Sequence, residues 1–464
     1  MTLGRRATWI AVAVLTVAGL VLRLLAARGA LWLDEAWSAT FAQEARTPIG
    51  VFFRINHDNN HFLNTLWLQL VGPDAPPMLK RALSIACSTA TIPLAALFAG
   101  RRAPAAAVLA ALGFALSPIM VTYGAEARGY AGMMAATIVA LLIADAWLAR
   151  PNRHAALWLA LASLFGTLSQ FLMIASLAAI VGWVFFEVRR QRGPAAALRE
   201  TASLMGSAVA CAALVLGMVA LAAFDAPGGF EVGDYRAFAW HDWKAAIETA
   251  IGWTLGSGTV PIALVLVVAL GVAALLLHRR SDARAPFYAI AALCYPLAFP
   301  LLKIGNAGMP RYYLLSMLAL ILLLADAAAP AVARAGWRRW SVIVLALIAA
   351  GGSTVLDARI IANRRGDAAI AIAAMRQRAP MGTTAAVANG RMTPVLTFAA
   401  RDAGYPLQVT EAKCADAPFL LVDGNADSAD LPALRYCGRS YRRIAQAPVR
   451  GLSGTWWWLF ERRR

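Results

Sequence analysis

Two adjacent carboxylates, Asp34 and Glu35, follow the first long apolar run of the chain and lie between Trp32 and Trp37. A carboxylate that faces a hydroxyl group can act as a general base. Burial and a neighbouring like charge both favour the protonated form of a carboxylate, which makes proton transfer easier to tune. The pair therefore predicts chemistry at a membrane surface. A pair of solvated loop carboxylates and a helix N-terminus are the alternatives that stay open.

Other polar residues occur in segments that we predict to lie on the same side of the membrane. Arginine binds phosphate through paired hydrogen bonds and lysine binds it as a point charge, so the basic residues are candidate ligands of a lipid phosphate. His57 and His61 are equally well explained as interfacial polar residues. Arg128 is also explained as an anchor beside an aromatic ring. The candidate binding residues are His57, His61, Arg128, Tyr130, Lys303, Arg311 and Tyr312.

The elements that must position these residues are membrane-spanning helices. The 464 residues are 60% hydrophobic with a mean hydropathy of +0.61, and many apolar runs have the length of a bilayer-spanning helix. The net charge of +18 comes from short arginine clusters between the runs, which favours the positive-inside rule over a nucleic-acid partner. About eleven spans are predicted, at 7–27, 79–99, 104–122, 131–149, two within 155–188, 203–224, 259–277, 286–302, 311–328 and 341–356.

The arginine clusters also predict the orientation of the chain. Arg5 and Arg6 place the N-terminus inside, so the segment 28–78 lies outside, and its apolar stretch 62–71 is too short to cross. We interpret that stretch as a helix at the membrane interface. Arg23, near the outer end of the first span, is interpreted as reaching the interface with its charged group. Residues 225–247 are predicted to be a polar loop.

The chain divides into a transmembrane module, residues 1–356, and a C-terminal region, residues 357–464, which we expect to be a small extracytoplasmic α/β domain. The fold class is thus an all-α polytopic membrane protein with a small C-terminal domain. If that domain lies outside, a disulfide between Cys414 and Cys437 is consistent with its compartment. The tryptophans at 456–458 fit a sugar platform, an interfacial belt or a buried strand.

The chain lacks the sequence motifs that are typical of several enzyme classes. The chain has no Gly-x-x-x-x-Gly-Lys phosphate loop, no Asp-x-Asp motif and no Gly-x-Gly-x-x-Gly turn, which argues against a nucleotide-driven reaction. A transporter or lipid flippase is the main alternative to an enzyme, but transporters more often carry ionisable residues in mid-span and inverted repeats. A non-catalytic membrane scaffold is a second alternative, and it gives no reason for the carboxylate pair.

The run 31–38, Leu-Trp-Leu-Asp-Glu-Ala-Trp-Ser, resembles the first outer loop of the GT-C glycosyltransferase superfamily. This superfamily comprises polyprenyl-phosphate-sugar-dependent enzymes such as protein mannosyltransferases and lipid A aminoarabinose transferases. The likeness is strongest over the first 130 residues. Phe62 and Leu63 stand where the family has two prolines, and a proline is also missing from 81–84. Further segments that resemble family motifs, in the same order, are 61–64, 81–84, 117–130 and 310–312.

The resemblance implies a sugar transfer in which Asp34 activates the acceptor hydroxyl, Glu35 is its acidic partner, and Arg128 and Arg311 lie near the lipid phosphate. It implies a polyprenyl-phosphate sugar donor, contact with membrane lipid, and a glycan, lipid or protein acceptor. The leaving phosphate requires positive charge, from the basic residues or from a bound divalent cation. The expected location is the outer face of a bacterial plasma membrane, in keeping with the alanine- and arginine-rich composition.

Overall fold

The computed structural model describes residues 4–55, 57, 61–225, 233, 235–424 and 431–463. Among these residues, seven helical segments are long and apolar enough to cross a membrane, and a bent helix pair makes an eighth. Each of them coincides with a span predicted from the sequence, because a long apolar run is the strongest signal a membrane protein carries. The chain is a multi-pass membrane protein.

The helices follow one another with short connections. The first seven are α1 (Arg5–Ala26), α2 (Leu33–Glu44), α3 (Gly50–Phe53), α4 (Phe62–Val71), α5 (Pro77–Gly100), α6 (Pro104–Leu116) and α7 (Pro118–Gly124). The next six are α8 (Tyr130–Ala149), α9 (Ala155–Ser169), α10 (Met173–Arg192), α11 (Pro194–Asp225), α12 (Trp240–Leu255) and α13 (Ile262–His278). The last six are α14 (Ala285–Tyr288), α15 (Tyr295–Leu302), α16 (Leu314–Ala333), α17 (Trp337–Asn363), α18 (Ala369–Arg378) and α19 (Thr393–Asp402).

Three predicted spans coincide with helices that are short or charged at one end. Helices α9 and α13 have 15 and 17 residues, and α10 has three arginines in its last turn. Helix α4 has 10 residues, as expected for a segment that does not cross. Helix α12 corrects the last part of the predicted polar loop 225–247, from Trp240 onward, whereas residues 226–232 and 234 of that loop lie outside the described residues. Its acidic and basic residues interrupt the apolar pattern, so the sequence signal was lost although much of one face is buried.

The bent pair α6–α7 turns by 59° at Ser117. Pro118 opens α7, and a proline lacks the N–H needed to continue the hydrogen-bond ladder of α6. Arg23 of α1 fills this break: its guanidinium donates to the carbonyls of Phe114 and Ala115 at 2.9 and 3.3 Å. Arg23 is fully buried, so the expectation that its charge reaches the interface is wrong. It is held inside the helix bundle by carbonyls that the bend exposes.

The C-terminal domain is a mixed six-stranded sheet with α18 and α19 packed against it. The strand order is β2-β1-β3-β6-β5-β4, in which β1 pairs parallel with β2 and β3 and the remaining pairs are antiparallel. Both faces are covered at the centre, so β3 is a continuous apolar run. The strands are β1 (Thr383–Val387), β2 (Leu407–Thr410), β3 (Phe419–Gly424), β4 (Ala433–Tyr436), β5 (Arg439–Ala447) and β6 (Trp456–Arg462).

Strand β6 contains the tryptophan run. Trp457 and Trp458 are buried and, because side chains alternate along a strand, they enter the hydrophobic clusters on opposite faces of the sheet. The buried-strand alternative therefore holds for these two residues. Cys414 and Cys437 form a disulfide that links the segment after β2 to the turn between β4 and β5. The expected α/β domain is confirmed.

Candidate functional site

Asp34 and Glu35 lie in the first turn of α2, where the helix dipole favours negative charge. Successive helical residues point about 100° apart, so the two side chains face different surroundings. Glu35 is completely buried, whereas the Asp34 side chain keeps 24% of its surface exposed. The helix N-terminus that the sequence left open as an alternative is thus the local structure, and the two carboxylates do different things within it.

Glu35 is locked in a buried ion pair with Arg81 of α5. The guanidinium donates through Nε and Nη2 to the two carboxylate oxygens at 2.8 and 2.5 Å. The amides of Ala127 and Trp32 donate to the same carboxylate at 2.7 and 3.2 Å. Burial by itself raises the pKa of Glu35, but the pairing with Arg81 and the amide of Ala127 outweigh it, and the pKa falls.

Arg81 also fixes the chain that leads into α2. Its Nη1 donates to the carbonyls of Ala27 and Gly29 at 2.6 and 2.8 Å, and its Nη2 donates to Ala30 at 2.8 Å. Together with the two bonds to Glu35, these contacts use all five donors of the guanidinium. A buried charge with every donor satisfied holds a rigid geometry, so the start of α2 is fixed relative to α5.

The loop between α7 and α8 is held against this framework. Ser84 of α5 donates to the carbonyl of Arg128 at 2.7 Å, and the Asn64 amide donates to the carbonyl of Ala127 at 2.5 Å. Gly129 passes so close to Ser169 that a Cβ there would lie 1.6 Å from its carbonyl oxygen. The motif around residues 81–84 therefore acts by positioning this loop.

Asp34 accepts hydrogen bonds from two arginines that are distant in sequence. Nη1 of Arg128 and Nη1 of Arg311 both contact Oδ2 of Asp34, the second at 3.2 Å. The two guanidinium groups are largely buried, with 12% and 20% of the side-chain surface exposed. Two positive charges thus converge on a single carboxylate oxygen, and the local balance is one positive charge in excess. We call Asp34, Arg128, Arg311 and His61 the Asp34 cluster.

His61 holds the other edge of Arg128. Nε and Nη2 of Arg128 lie 3.0 and 2.8 Å from Nε2 of His61, which must accept because a guanidinium only donates. The other ring nitrogen, Nδ1, lies 3.3 Å from both the carbonyl oxygen of Ser169 and the amide nitrogen of Gly129. Burial and the charge of Arg128 lower the pKa of His61 well below its usual value. His61 is a neutral residue that orients Arg128.

Two tyrosine rings flank the guanidinium groups. The ring of Tyr130 lies 5.6 Å from the Arg128 carbon Cζ, and that of Tyr312 lies 5.7 Å from the same atom of Arg311. At these distances the rings attract the cations and restrict their rotation. Nε of Arg311 is buried and has no hydrogen-bond acceptor among the residues that the structure describes.

Two of the candidate binding residues lie apart from this cluster. Lys303 is exposed at the end of α15 and makes no hydrogen bond or ion pair with the described residues around Asp34. The ring of His57 lies 5.1 Å from that of Phe41, which is in turn 5.6 Å from Trp37. The residues between His57 and His61, Asp58 to Asn60, lie outside the described residues.

The C-terminal domain completes the surroundings of the cluster with residues that the sequence analysis missed. Arg365 is buried, donates to the carbonyl of Ala26 at 2.5 Å and lies 3.7 Å from Glu126. Ser453 donates to the same carboxylate, and Thr455 accepts from the amide of Leu33 at 3.0 Å. Nothing in the sequence signals these contacts, because a single Arg, Ser or Thr in a polar stretch is ordinarily solvated.

Glu126, at this interface, has a raised pKa. Burial raises the pKa to about 6, against the opposing effects of Arg365 and of the hydrogen bond from Ser453. Among the described residues, no group of three or more His, Cys, Asp or Glu side chains is placed to hold a metal ion. The positive charge at the cluster comes from arginine, which suits a phosphate or another oxyanion.

Solved structures with the same fold were found, although no protein-family model and no curated protein matches the chain. ArnT from Cupriavidus metallidurans in the apo state superposes with a TM-score of 0.59 at 14% identity, covering 98% of both chains. The same protein bound to undecaprenyl phosphate gives 0.57 at 15%, covering 97% of both. The Archaeoglobus fulgidus oligosaccharyltransferase gives 0.51 at 12%, over 90% of this chain and 70% of the other. The chain therefore shares the fold of these proteins.

Proposed function

We propose that the chain is a membrane glycosyltransferase that transfers a sugar from a polyprenyl-phosphate donor to an acceptor hydroxyl, with inversion and with Asp34 as the general base. The observation that carries the proposal is the Asp34 cluster itself. A partly exposed carboxylate lies between two arginines at the start of α2, in a fold that it shares with ArnT. ArnT has been solved with undecaprenyl phosphate, which supports a lipid phosphate as the leaving group.

The chemical step is a single displacement. The acceptor hydroxyl gives its proton to Asp34 while its oxygen forms a bond to the anomeric carbon. The bond between that carbon and the phosphate oxygen breaks, and its electron pair leaves with the polyprenyl phosphate. Arg128 and Arg311 stabilise the charge that develops on the leaving oxygen. Glu35, whose oxygens are all engaged, acts by positioning α2 and the loop before α8.

A groove between α8 and α9 suits the isoprenoid chain of such a donor. Its volume is about 460 Å³ and its lining is apolar, including Ala135, Val139, Trp158 and Phe165. Gly132, one turn before the groove, contacts Ser169, whose carbonyl faces His61. A lipid lying there has its phosphate end directed toward the Asp34 cluster. In this proposal residues 1–356 form the catalytic module, and residues 357–464 cover it on the outer face of the membrane.

A transfer assay tests the proposal. Wild type, Asp34→Asn and the control Asp74→Asn, a highly exposed carboxylate on the same outer segment, are placed in nanodiscs. Radiolabelled polyprenyl-phosphate sugars are the donors and membrane extracts provide the acceptor. We expect wild type and Asp74→Asn to transfer label equally and Asp34→Asn to lose about 10²- to 10⁴-fold, the usual contribution of a general base.

Equal transfer by Asp34→Asn would remove Asp34 as the base but keep the enzyme. Absence of transfer from every donor by folded wild-type protein would reject the glycosyltransferase and return the weight to a transporter or lipid flippase.

A further inference from the structure

The two arginines of the Asp34 cluster present hydrogen-bond donors in the way that a phosphate site requires. The position between them is occupied by the carboxylate of Asp34. Arg128 and Arg311 come from two separate segments, the loop before α8 and the turn 310–313 before α16, yet both donate to the same oxygen of Asp34. Each guanidinium is restrained by a tyrosine ring, and Arg128 is also held by His61. The geometry is built before any ligand arrives.

The carboxylate of Asp34 satisfies only part of the hydrogen-bonding capacity of the two arginines. Asp34 offers one oxygen to two arginines, and the buried Nε of Arg311 has no acceptor among the described residues. A tetrahedral phosphate has three oxygens for bonding and can accept hydrogen bonds from both arginines at once. Paired bonds from arginine to phosphate are stronger than single bonds to a shared carboxylate oxygen. A lipid phosphate is therefore able to displace Asp34 from its partners.

The displacement has a direct chemical consequence. Both guanidinium groups donate to Oδ2, which holds the Asp34 carboxylate at the two arginines for as long as it makes these bonds. We propose that Asp34 holds Arg128 and Arg311 until the donor phosphate displaces it from both arginines, which frees the carboxylate to turn toward the acceptor hydroxyl.

This inference rests on the proposed function for the identity of the anion. It predicts that loss of a catalytic residue increases the affinity for a ligand. Loss of a catalytic residue usually leaves ligand affinity unchanged or weaker. Here Asp34→Asn removes the negative charge that competes with the phosphate, so undecaprenyl phosphate should bind about tenfold more tightly while transfer is lost. Asp34→Ala provides a second variant with the same change of charge.

The experiment is a titration of undecaprenyl phosphate into protein in nanodiscs of neutral lipid. Undecaprenol and inorganic phosphate are separate arms, which distinguish a lipid headgroup from free phosphate. Asp74→Asn is the matched control for loss of a carboxylate outside the cluster, with no change expected. In the background Arg311→Ala, the gain from Asp34→Asn should shrink to about twofold, because one of the two contested arginines is gone.

Equal affinity of wild type and both Asp34 variants for undecaprenyl phosphate would overturn the displacement while leaving the proposed reaction intact. A gain of the same size in Asp74→Asn, or an undiminished gain in the Arg311→Ala background, would also overturn it, since the effect would then be general electrostatics. No binding of undecaprenyl phosphate by any variant would reject the lipid-phosphate site, and with it the proposed function.

Discussion

The two ends of helix α8 each face a cluster of arginines and carboxylates, and the two clusters differ in charge balance. At the end away from α2, Arg284 lies between two carboxylates: it donates to both oxygens of Asp145 at 3.1 Å and to Asp326 at 3.3 Å. The Tyr288 hydroxyl donates to Asp326 at 2.7 Å, and the guanidinium lies 3.6 Å from the Phe98 ring centre. We call these residues the Arg284 cluster.

Arg101 also pairs with Asp145 at 2.9 Å, so two cations meet two carboxylates there, whereas the Asp34 cluster has two arginines on one carboxylate. A buried cation between two anions has no reason to attract another ligand, and its contacts tie α8, α14 and α16 together. A carboxylate shared by two cations leaves positive charge that an incoming anion can use. Charge balance therefore distinguishes a cluster that stabilises the fold from the one that we propose binds the donor phosphate.

The largest expected effect lies at the Arg284 cluster. Arg284→Ala leaves the buried carboxylate of Asp326 without its cation, while Asp145 keeps its ion pair with Arg101, and the free energy of unfolding should fall by about 3–5 kcal/mol. The specific activity of the protein that stays folded should not change, because the cluster is remote from the reaction. Thermal unfolding in nanodiscs and a transfer assay on the folded fraction measure the two quantities.

Arg334→Ala, an exposed arginine just after α16, is the control and should alter neither quantity. A loss of specific activity in Arg284→Ala would contradict the separation of the two clusters.

The second largest effect is expected at the Asp34 cluster, where a substitution should lower activity and leave stability nearly unchanged. Arg311→Ala should lower kcat/KM by about 10²- to 10³-fold, the usual consequence of removing one donor to a developing oxyanion. Its unfolding midpoint should stay close to that of wild type, since the side chain is partly exposed and its only ion pair is with Asp34 among the described residues. Arg311→Lys keeps the charge but not the paired geometry, and should recover only part of the rate.

Steady-state kinetics beside a thermal scan decide this prediction. A variant that unfolds readily but turns over normally would place Arg311 with the structural residues.

The third effect concerns the interface of the C-terminal domain and is pH-dependent. Burial raises the pKa of Glu126 from 4.5 to about 6 in the folded state, so the folded protein binds more protons than the unfolded chain between these values. This group's contribution to stability is therefore complete below pH 4.5 and falls as the pH rises through 6, by about 2 kcal/mol. Glu126→Gln should lack this slope.

Unfolding midpoints of wild type, Glu126→Gln and the exposed-site control Glu44→Gln between pH 4.5 and 7.5 provide the measurement. Wild type and Glu44→Gln should lose stability relative to Glu126→Gln as the pH rises. Parallel curves for all three proteins would show that Glu126 titrates normally.

The smallest effect is expected from Ser84, which positions the loop before α8. Ser84→Ala removes the hydrogen bond to the Arg128 carbonyl, worth about 1 kcal/mol, and should lower kcat about fivefold with little change in stability. Ser84→Thr keeps the hydroxyl and should recover most of the rate. If Ser84→Thr were as slow as Ser84→Ala, the loop before α8 would be held by its other contacts alone.

The sequence predicted the spans and the C-terminal domain because long apolar runs and charge clusters are local signals. Helix α12 was missed since charged residues interrupt its apolar face. Asp34, Arg128 and Arg311 were identified through the resemblance, but their convergence on one oxygen joins residues up to 277 positions apart. The contacts of Arg365 and Ser453 could not be predicted for the same reason, because only the folded chain brings these residues to Glu126.

The burial of Arg23 has a consequence for how the chain is made. Its carbonyl partner at Phe114 follows it by 91 residues. At translation rates of roughly 5–20 residues per second, α1 exists for on the order of ten seconds before α6 emerges. A charged group near the end of an isolated span lies most favourably at the water boundary during that interval. The first helix must therefore shift or rotate after insertion, when the bent pair arrives to receive its arginine.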